Sequence, residues 1–487
     1  MIYLTAQPVN NYFLWQLELQ IRNLRELGVS SKNIHVLFSS PSISIGETLL
    51  QFISENAVLC SIFLYEDTRT SKNYPSSIRP NIISQHFEKF NYLEQETIFY
   101  FDSDVIFYRK LDKNLDMDNI CYVSDTRSYL SAKYVIKESS ASLFSKMANI
   151  VGIDTKTILD SDENAGGAQY LLKGMNSALW KKIEIDSNGI YEVIKAYKET
   201  NENSLEPWCS DMWSLLWNLL LAKKGVKIHP ELDFIWPDDE ISLWGKKIIL
   251  HYSGFKNGPV EIFDKTKYVH TPPWFDPRLS DISEKYSSSI VVDKIKLREL
   301  DIRKSQPKVE NIQLIFTIEA IDEKTMDTYF KIRQYYNLHM NIKVLLKDKN
   351  NYFHIWSDID RHSISLDKHQ FLKTFKHWDG YFLIAPVNYL FNPKGLLELS
   401  ERNYDGELYV FQKNAYEVCP LLLNLFLERL DFDVLTENKG KFNQYPIDKN
   451  SVYLISSKYL IQQFNFNRIE GQKDFVIAEY KHDIYAL

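Results

Sequence analysis

Ile98-Phe99-Tyr100-Phe101-Asp102-Ser103-Asp104-Val105-Ile106-Phe107 is the stretch that decides how this chain is read. Apolar and aromatic residues run up to an acidic pair and resume directly after it. The chain holds five D-x-D triplets: Asp102/Asp104, Asp116/Asp118, Asp160/Asp162, Asp358/Asp360 and Asp431/Asp433. Only the first follows such a run. Two carboxylates against apolar flanks are costly to bury unless they are paired or hold a metal. At the carboxyl end of a parallel strand they open into the crevice where α/β sheets bind ligands. A hard divalent cation takes several carboxylate oxygens and leaves positions for phosphate oxygens. A strand-end turn with two solvated aspartates is the alternative, and the triplet alone is compatible with both.

Outward from this stretch the pattern alternates. Upstream, strands are expected over 2–5, 33–38, 58–65 and 97–101, and helices over 13–27, closed by Gly28, and 48–55. Downstream, strands are expected over 120–124 and 248–251, a polar loop entering a strand over 164–172, and a helix over 211–222. Short connections between alternating strands and helices imply an α/β domain with a mainly parallel sheet. Ser287-Ser288-Ser289 and a charged run over 293–308 then interrupt the pattern. It starts afresh with a strand over 312–318, a helix over 324–336 and a strand over 342–346. The expected organisation is a first domain over 1–285, a linker over 286–310 and a second α/β domain over 311–487. The stretch from Phe99 to Tyr108 can be laid on Tyr381 to Leu390, with Ala385 and Val387 or their neighbours in place of the acidic pair. A diverged second copy without metal ligands explains that overlay; so does the general likeness of any two α/β domains.

At 487 residues the chain exceeds one ordinary core, and 45% hydrophobic with 25% charged residues is a globular composition. A net charge of −7 argues against nucleic acid as the main partner. Cys60, Cys121, Cys209 and Cys419 are far apart and form no C-x-x-C, which disfavours structural zinc and a disulfide framework and fits a reducing, cytoplasmic setting. Met1 leads straight into an apolar strand with no basic region, so no secretory leader is expected. No apolar run reaches about 18 residues, so a transmembrane helix is not expected and a membrane-bound acceptor would be met peripherally.

Three further motifs carry chemistry. His251-Tyr252-Ser253-Gly254-Phe255-Lys256 follows a strand and joins an imidazole to a glycine and a lysine that can meet a phosphate. Two Asp and a His suit Mn²⁺ better than Mg²⁺, because imidazole favours the softer ion. Gly166 and Gly167, in the loop from Asn164 to Gln169, allow close backbone approach to a ligand, or form an ordinary turn. The run from Glu206 to Trp213 combines carboxylates with aromatic faces, as sugar sites need; capping by Ser210 or Asp211 is its alternative.

In this order the motifs resemble those of the GT-A glycosyltransferases, nucleotide-sugar enzymes with a Rossmann-like domain, of the glycogenin and galactosyltransferase type. The likeness covers roughly residues 1–275. Thr5-Ala6-Gln7-Pro8 and the run from Tyr74 to Pro80 look like parts of the nucleotide pocket. The resemblance implies that Asp102, Asp104 and His251 hold Mn²⁺ (or Mg²⁺) against the diphosphate. It places Thr5 and Ala6 at the nucleoside, Arg79 and Lys256 at phosphate or base, and Ser103 in the donor-binding set. It puts Asn164, Gly166 and Gly167 beside the donor sugar, with Asp125 and Arg127 facing it. Asp211 becomes the catalytic carboxylate pointing at the reacting sugars. One departure stands out: the family often shows H-x-x-G-x-x-K, and Lys256 comes one position early. The implied reaction moves a sugar from a nucleotide donor, UDP-linked, to a hydroxyl of a carbohydrate, lipid-linked or protein acceptor, with retention as the hint of the His-containing metal site. A sugar nucleotidyltransferase is the rival among enzymes, but the loop over 6–12 has no Gly, Lys or Arg. A carbohydrate-binding protein on a decayed transferase fold is the non-enzymatic rival, and the favoured reading of the second half.

Overall fold

The computed structural model describes residues 1–40, 46–111, 115, 117, 119–201, 203–254 and 259–305. Beyond these it describes 309–318, 336, 342–347, 353–356, 363–365, 378–386, 389–401, 408–411, 414–417, 444–446, 453–456, 476–478 and 484–486. Lys256, Cys419, most of the helix expected over 324–336 and the acidic pairs 116/118, 358/360 and 431/433 lie outside the described residues. The chain divides into two compact units, Met1–His270 with Ile282–Lys294, and Thr271–Asp281 with Ile295–Leu487. The stretch 286–310 contains a helix, Ser289–Ser305.

Among its described residues the first unit contains ten strands: β1 (Ile2–Pro8), β2 (Ile34–Ser40), β3 (Ser61–Glu66), β4 (Ile98–Tyr100), β5 (Val105–Phe107), β6 (Ile120–Asp125), β7 (Gly166–Leu172), β8 (Gly225–Ile228), β9 (Phe234–Ile235) and β10 (Ile249–His251). Seven form one sheet in the order β3-β2-β1-β4-β7-β6-β8. All its pairings are parallel except those of β7 with β4 and β6. The expected α/β class with a mainly parallel sheet is therefore the observed one. A small sheet, β5-β10-β9, completes the unit.

Alternation along the strands builds the two layers around this sheet. Ile2, Leu4 and Ala6 of β1 and Ile98 and Tyr100 of β4 join a core with the helices Ile78–Lys89, Ser177–Lys198 and Ser210–Leu221. Tyr3, Phe99 and Phe101 face the other way, into a core with the helices Asn11–Glu26 and Glu47–Asn56. The helix Asn11–Glu26 starts at Asn10, whose side chain accepts from Phe13 N–H, and is closed by Gly28 at φ 76°. The 22-residue helix Ser177–Lys198 was not anticipated from the sequence. Its buried residues include Glu184, Asp186, Ser187 and Asn188, so polar side chains on its inner face hide the apolar period.

In the second unit, an eight-stranded sheet runs through Ser363–Ser365, Phe353–Trp356, Ile342–Lys347, Ile312–Ile318, Tyr381–Pro386, Tyr453–Ser456, Leu408–Phe411 and Val476–Ala478. A smaller sheet joins Tyr389–Phe391, Ile484–Ala486, Asn414–Glu417 and Gln444–Pro446. Among the described residues no helix is long and apolar enough to cross a membrane. Cys60, Cys121 and Cys209 are buried free thiols.

Candidate metal centre and its cavity

β4 ends at Tyr100 and the chain turns through residues 101–104 before β5 begins at Val105. β10 pairs antiparallel with β5 and sets His251 directly opposite Val105. Tyr252 N–H donates to the Asp104 carbonyl at 3.0 Å, which fastens the two segments together. Ligand atoms of Asp102, Asp104 and His251 thereby lie within 4.8 Å of one another. Asp104 and His251 are buried and Asp102 is partly exposed.

One helix holds the acidic turn in place. Gln16, Gln20 and Asn23 share a face of Asn11–Glu26 at helical spacing. Ser103 Oγ donates to Gln16 Oε1 at 2.9 Å, and Gln20 Nε2 donates to the Asp102 carbonyl at 2.6 Å. Asn23 grips β5 twice, donating to the Phe107 carbonyl at 3.0 Å and accepting from Phe107 N–H at 2.8 Å. Three amides on the buried face of an otherwise leucine-rich helix are a signal readable in the sequence.

Protein cations meet each carboxylate. Arg79 Nη1 lies 2.8 Å from Asp102 Oδ1 and 3.7 Å from Asp211 Oδ2. Lys265 Nζ is ion-paired with Asp104 Oδ2, and His251 Nε2 lies 3.4 Å from the same oxygen. Burial pushes the Asp104 carboxyl up, but the Lys265 ammonium and His251 pull it the other way and win, holding it well below the usual carboxylate range. Burial alone would lower Lys265, yet Asp104 and Tyr12 outweigh it and raise the ammonium above its ordinary value. Asp211 behaves differently. Burial raises its carboxyl despite the pull of Arg79 and of the Tyr74 hydroxyl. Tyr74 Oη lies 2.6 Å from both Asp211 Oδ1 and the Trp208 carbonyl, and it has one proton for two acceptors. Asp211 N–H donates back to the same hydroxyl oxygen at 3.3 Å.

These groups line a cavity of about 230 Å³. Asp102, Asp104, His251, Arg79, Asp211 and Lys265 supply its polar side, and Tyr100, Tyr170, Trp180, Ile183 and Leu215 an apolar wall. Tyr129, Trp208 and Trp236 add aromatic faces. Trp236 stacks on the His251 imidazole with ring centroids 5.5 Å apart and planes at 23°. Gln169 Nε2 is 3.5 Å from His251 Nδ1, and Ser124 Oγ donates to Gln169 Oε1 at 2.5 Å.

The remaining expected residues fall elsewhere. Thr5 and Ala6 are buried in β1, outside the cavity lining, and the Thr5 hydroxyl has no hydrogen-bond partner. Ser103 is turned to Gln16. Asp125 and Arg127 pair with each other at 2.7 Å, where the carboxylate and guanidinium are both well exposed. Asn164 accepts from Ile228 N–H at 3.3 Å. Gly166 and Gly167 are buried in β7: a Cβ would stand 2.3 Å from the Ser124 carbonyl at the first and 2.6 Å from Tyr170 Oη at the second. Their smallness is taken up by protein packing, behind Ala168, which lines the cavity at φ 68°. Ser210 does not cap its helix through its side chain; its hydroxyl donates to the Pro207 carbonyl at 2.6 Å. Lys265 and Trp236 carry no signal in the sequence, because only the folded chain brings them to the cavity; Tyr74, from the run expected at the nucleotide, stands behind Asp211.

No protein-family profile matches the chain, and no curated protein does. Solved structures similar to it include glycosyltransferases. The bifunctional glycosyltransferase WbbM is 11% identical with a TM-score of 0.32, over 60% of this chain and 51% of WbbM, so the chain spans about half the length of that protein. An active-site mutant of LgtC is 12% identical with a TM-score of 0.33, over 60% of this chain and 95% of LgtC. The glycosyltransferase GlyE of Streptococcus pneumoniae TIGR4 is 10% identical with a TM-score of 0.30, over 71% of this chain and 75% of GlyE.

Proposed function

We propose that the chain is a metal-dependent glycosyltransferase that moves a sugar from a UDP-linked donor to an acceptor hydroxyl. The observation that carries this reading is the Asp102/Asp104/His251 group, which opens into the same cavity as Arg79 and Asp211. The donor set fits a divalent cation: two carboxylates and one imidazole converge at ligand distance, and Asp104 already draws a cation to itself. Asp102, Asp104 and His251 would hold Mn²⁺, which when bound supplies Lewis-acid stabilisation to a departing diphosphate.

The chain's own groups do the rest. Arg79 sets a fixed positive charge between Asp102 and Asp211, where an anionic donor needs it. Tyr100, Tyr170 and Trp180 give the cavity an apolar inner wall. Trp208 and Tyr129 offer faces on which sugar rings pack. Asp211, with its raised carboxyl held by Tyr74, is placed to exchange a hydrogen bond with a sugar hydroxyl at the reacting centre. Thr5, Ala6, Ser103, Asp125, Arg127, Asn164, Gly166, Gly167 and Lys256 enter this reading as the donor-binding set that the resemblance implies. Retention of configuration goes with the reading, and proton NMR of the anomeric product checks it. We read the second unit, with the 286–310 connection before it, as a non-catalytic copy, which its strand order supports. The deciding experiment is a donor-hydrolysis screen of UDP-, GDP- and CMP-sugars with Mn²⁺ and with EDTA. Turnover that needs Mn²⁺ and one nucleotide class is expected; full activity in EDTA overturns the reading.

A further inference from the structure

We infer that Lys265 is a tethered counter-ion, which fills the cation position of the Asp102/Asp104/His251 centre and competes with a divalent ion for it. The inference rests on the metal reading above and adds an occupant to the site. Lys265 is no surface lysine: its side chain is 13% exposed, and its ammonium sits on Asp104 Oδ2, the oxygen that His251 Nε2 also faces. The Tyr12 ring lies on its other side, 5.4 Å from Nζ to the centroid. Its backbone belongs to the turn Lys265–Tyr268, which Asp264 caps by accepting from Thr266 N–H at 2.9 Å. That turn packs on the segment following His251. A Cβ on Gly254 would stand 2.3 Å from Thr266 Cγ2 and 3.7 Å from Lys265 Cε. Gly254 therefore admits the turn that delivers the lysine.

Each of the two ligand carboxylates has a protein cation beside it. Arg79 answers Asp102 and Lys265 answers Asp104. A divalent ion on both carboxylates and His251 puts two positive charges against an ammonium bound to the same oxygen. Like charges at that separation in a buried setting repel strongly, so the ion enters only as Lys265 leaves Asp104. Arg79 keeps a second carboxylate, Asp211, within 3.7 Å. The free energy of displacing Lys265 is subtracted from the ion's binding, and this sets its apparent affinity.

The test titrates Mn²⁺ alone into the full chain by calorimetry and reads the unfolding temperature with and without Mn²⁺. Lys265→Met should bind Mn²⁺ more tightly than the parent, on the order of tenfold, and should gain more in unfolding temperature from the ion. Lys265→Gln should behave alike, and Lys265→Arg should stay near the parent. If Lys265→Met is unfolded without the ion, refolding on addition of Mn²⁺ supports the inference, and failure to refold by both neutral variants overturns it. Neutral variants that bind Mn²⁺ no more tightly than the parent overturn the tethered ion alone. No Mn²⁺ binding by any of the chains, with or without UDP, overturns the metal reading itself.

Discussion

In the first unit the chain lays β2, β1, β4, β7, β6 and β8 side by side, with only β7 antiparallel to its neighbours. In the second, Ile342–Lys347, Ile312–Ile318, Tyr381–Pro386, Tyr453–Ser456, Leu408–Phe411 and Val476–Ala478 stand in the same order, and only Tyr453–Ser456 is antiparallel to its neighbours. The small sheets agree as well: Tyr389–Phe391 pairs antiparallel with Ile484–Ala486 as β5 does with β10. The edges differ, since β3 is parallel to β2 whereas Phe353–Trp356 is antiparallel to Ile342–Lys347. Aligning β5 with Tyr389–Phe391 moves the sequence overlay by two residues. Val105 then matches Tyr389, so Asp102 and Asp104 match Pro386 and Asn388. Val105 pairs with His251 and Tyr389 with Ala486. On the proposed reading, the three ligand positions of the first unit correspond to proline, asparagine and alanine in the second. Strand order is specified by many apolar contacts and survives such replacements, whereas a metal centre rests on three side chains.

The comparison breaks most sharply at Asp102. Asp102→Asn removes one ligand charge at a partly exposed position, and Arg79 keeps Asp211 as a partner. Mn²⁺-dependent turnover should fall on the order of 100-fold or more with the unfolding midpoint little changed; wild-type rates would relocate the metal. Asp104→Asn is the less clean variant, because it strands Lys265 in the interior.

Next in size is the clamp on the acidic turn. Asn23→Leu leaves the Phe107 N–H and carbonyl without their amide partner. It should cost about 1–3 kcal/mol in urea unfolding and weaken Mn²⁺ binding as the turn loosens. An unchanged urea midpoint would show that the clamp is not needed.

Acid provides a third measurement, confined to the first unit. Tyr65 Oη lies 2.6 Å from His86 Nδ1, His86 Nε2 3.0 Å from His35 Nδ1, and His35 Nε2 3.1 Å from the Lys32 carbonyl. Neutral tautomers satisfy every link of this chain, each group donating to the next. Burial pulls His86 down to about 3, with His35 and Lys89 adding to it, and burial also lowers His35. Below an ordinary value of 6.5 the unfolded chain takes up protons that the folded one refuses. Stability is therefore full above that pH and falls as pH drops toward 3, by about 1.4 kcal/mol per pH unit for each histidine kept neutral. His86→Phe should flatten the profile measured by denaturant titration; an unaltered slope would mean that other groups set it.

The smallest expected effect is none. Asn388→Ala and Ala486→Ser should leave Mn²⁺ stoichiometry at one per chain and turnover unchanged. A second equivalent of Mn²⁺ in calorimetry, lost in either variant, would make the second unit a working site.

What the sequence disclosed follows the range of the forces involved. The acid pair was legible because its flanks are local: Phe99 and Phe101 face one core, Tyr100 the other, and the aspartates follow at once. Gly28 was legible as a helix stop because positive φ is a property of one residue. His251 was legible by its strand-end context. Lys265 was not, since its partner Asp104 is reached only through the β5–β10 pairing and a later turn. Asp125 and Arg127 look like ligand groups in the chain and pair with each other in the fold. The glycines Gly166 and Gly167 invite a ligand on paper, yet Tyr170 and the Ser124 carbonyl take their space.

Gln16, Gln20 and Asn23 have one more consequence. Because a helix holds the acidic turn by its backbone, the ordering entropy of the two aspartates is settled during folding rather than when an ion arrives. Ca²⁺ seeks six to eight oxygens at about 2.3–2.6 Å, more than two carboxylates and an imidazole supply by themselves. The geometry of the acidic turn is therefore written on the inner face of the first helix as much as in the aspartates themselves.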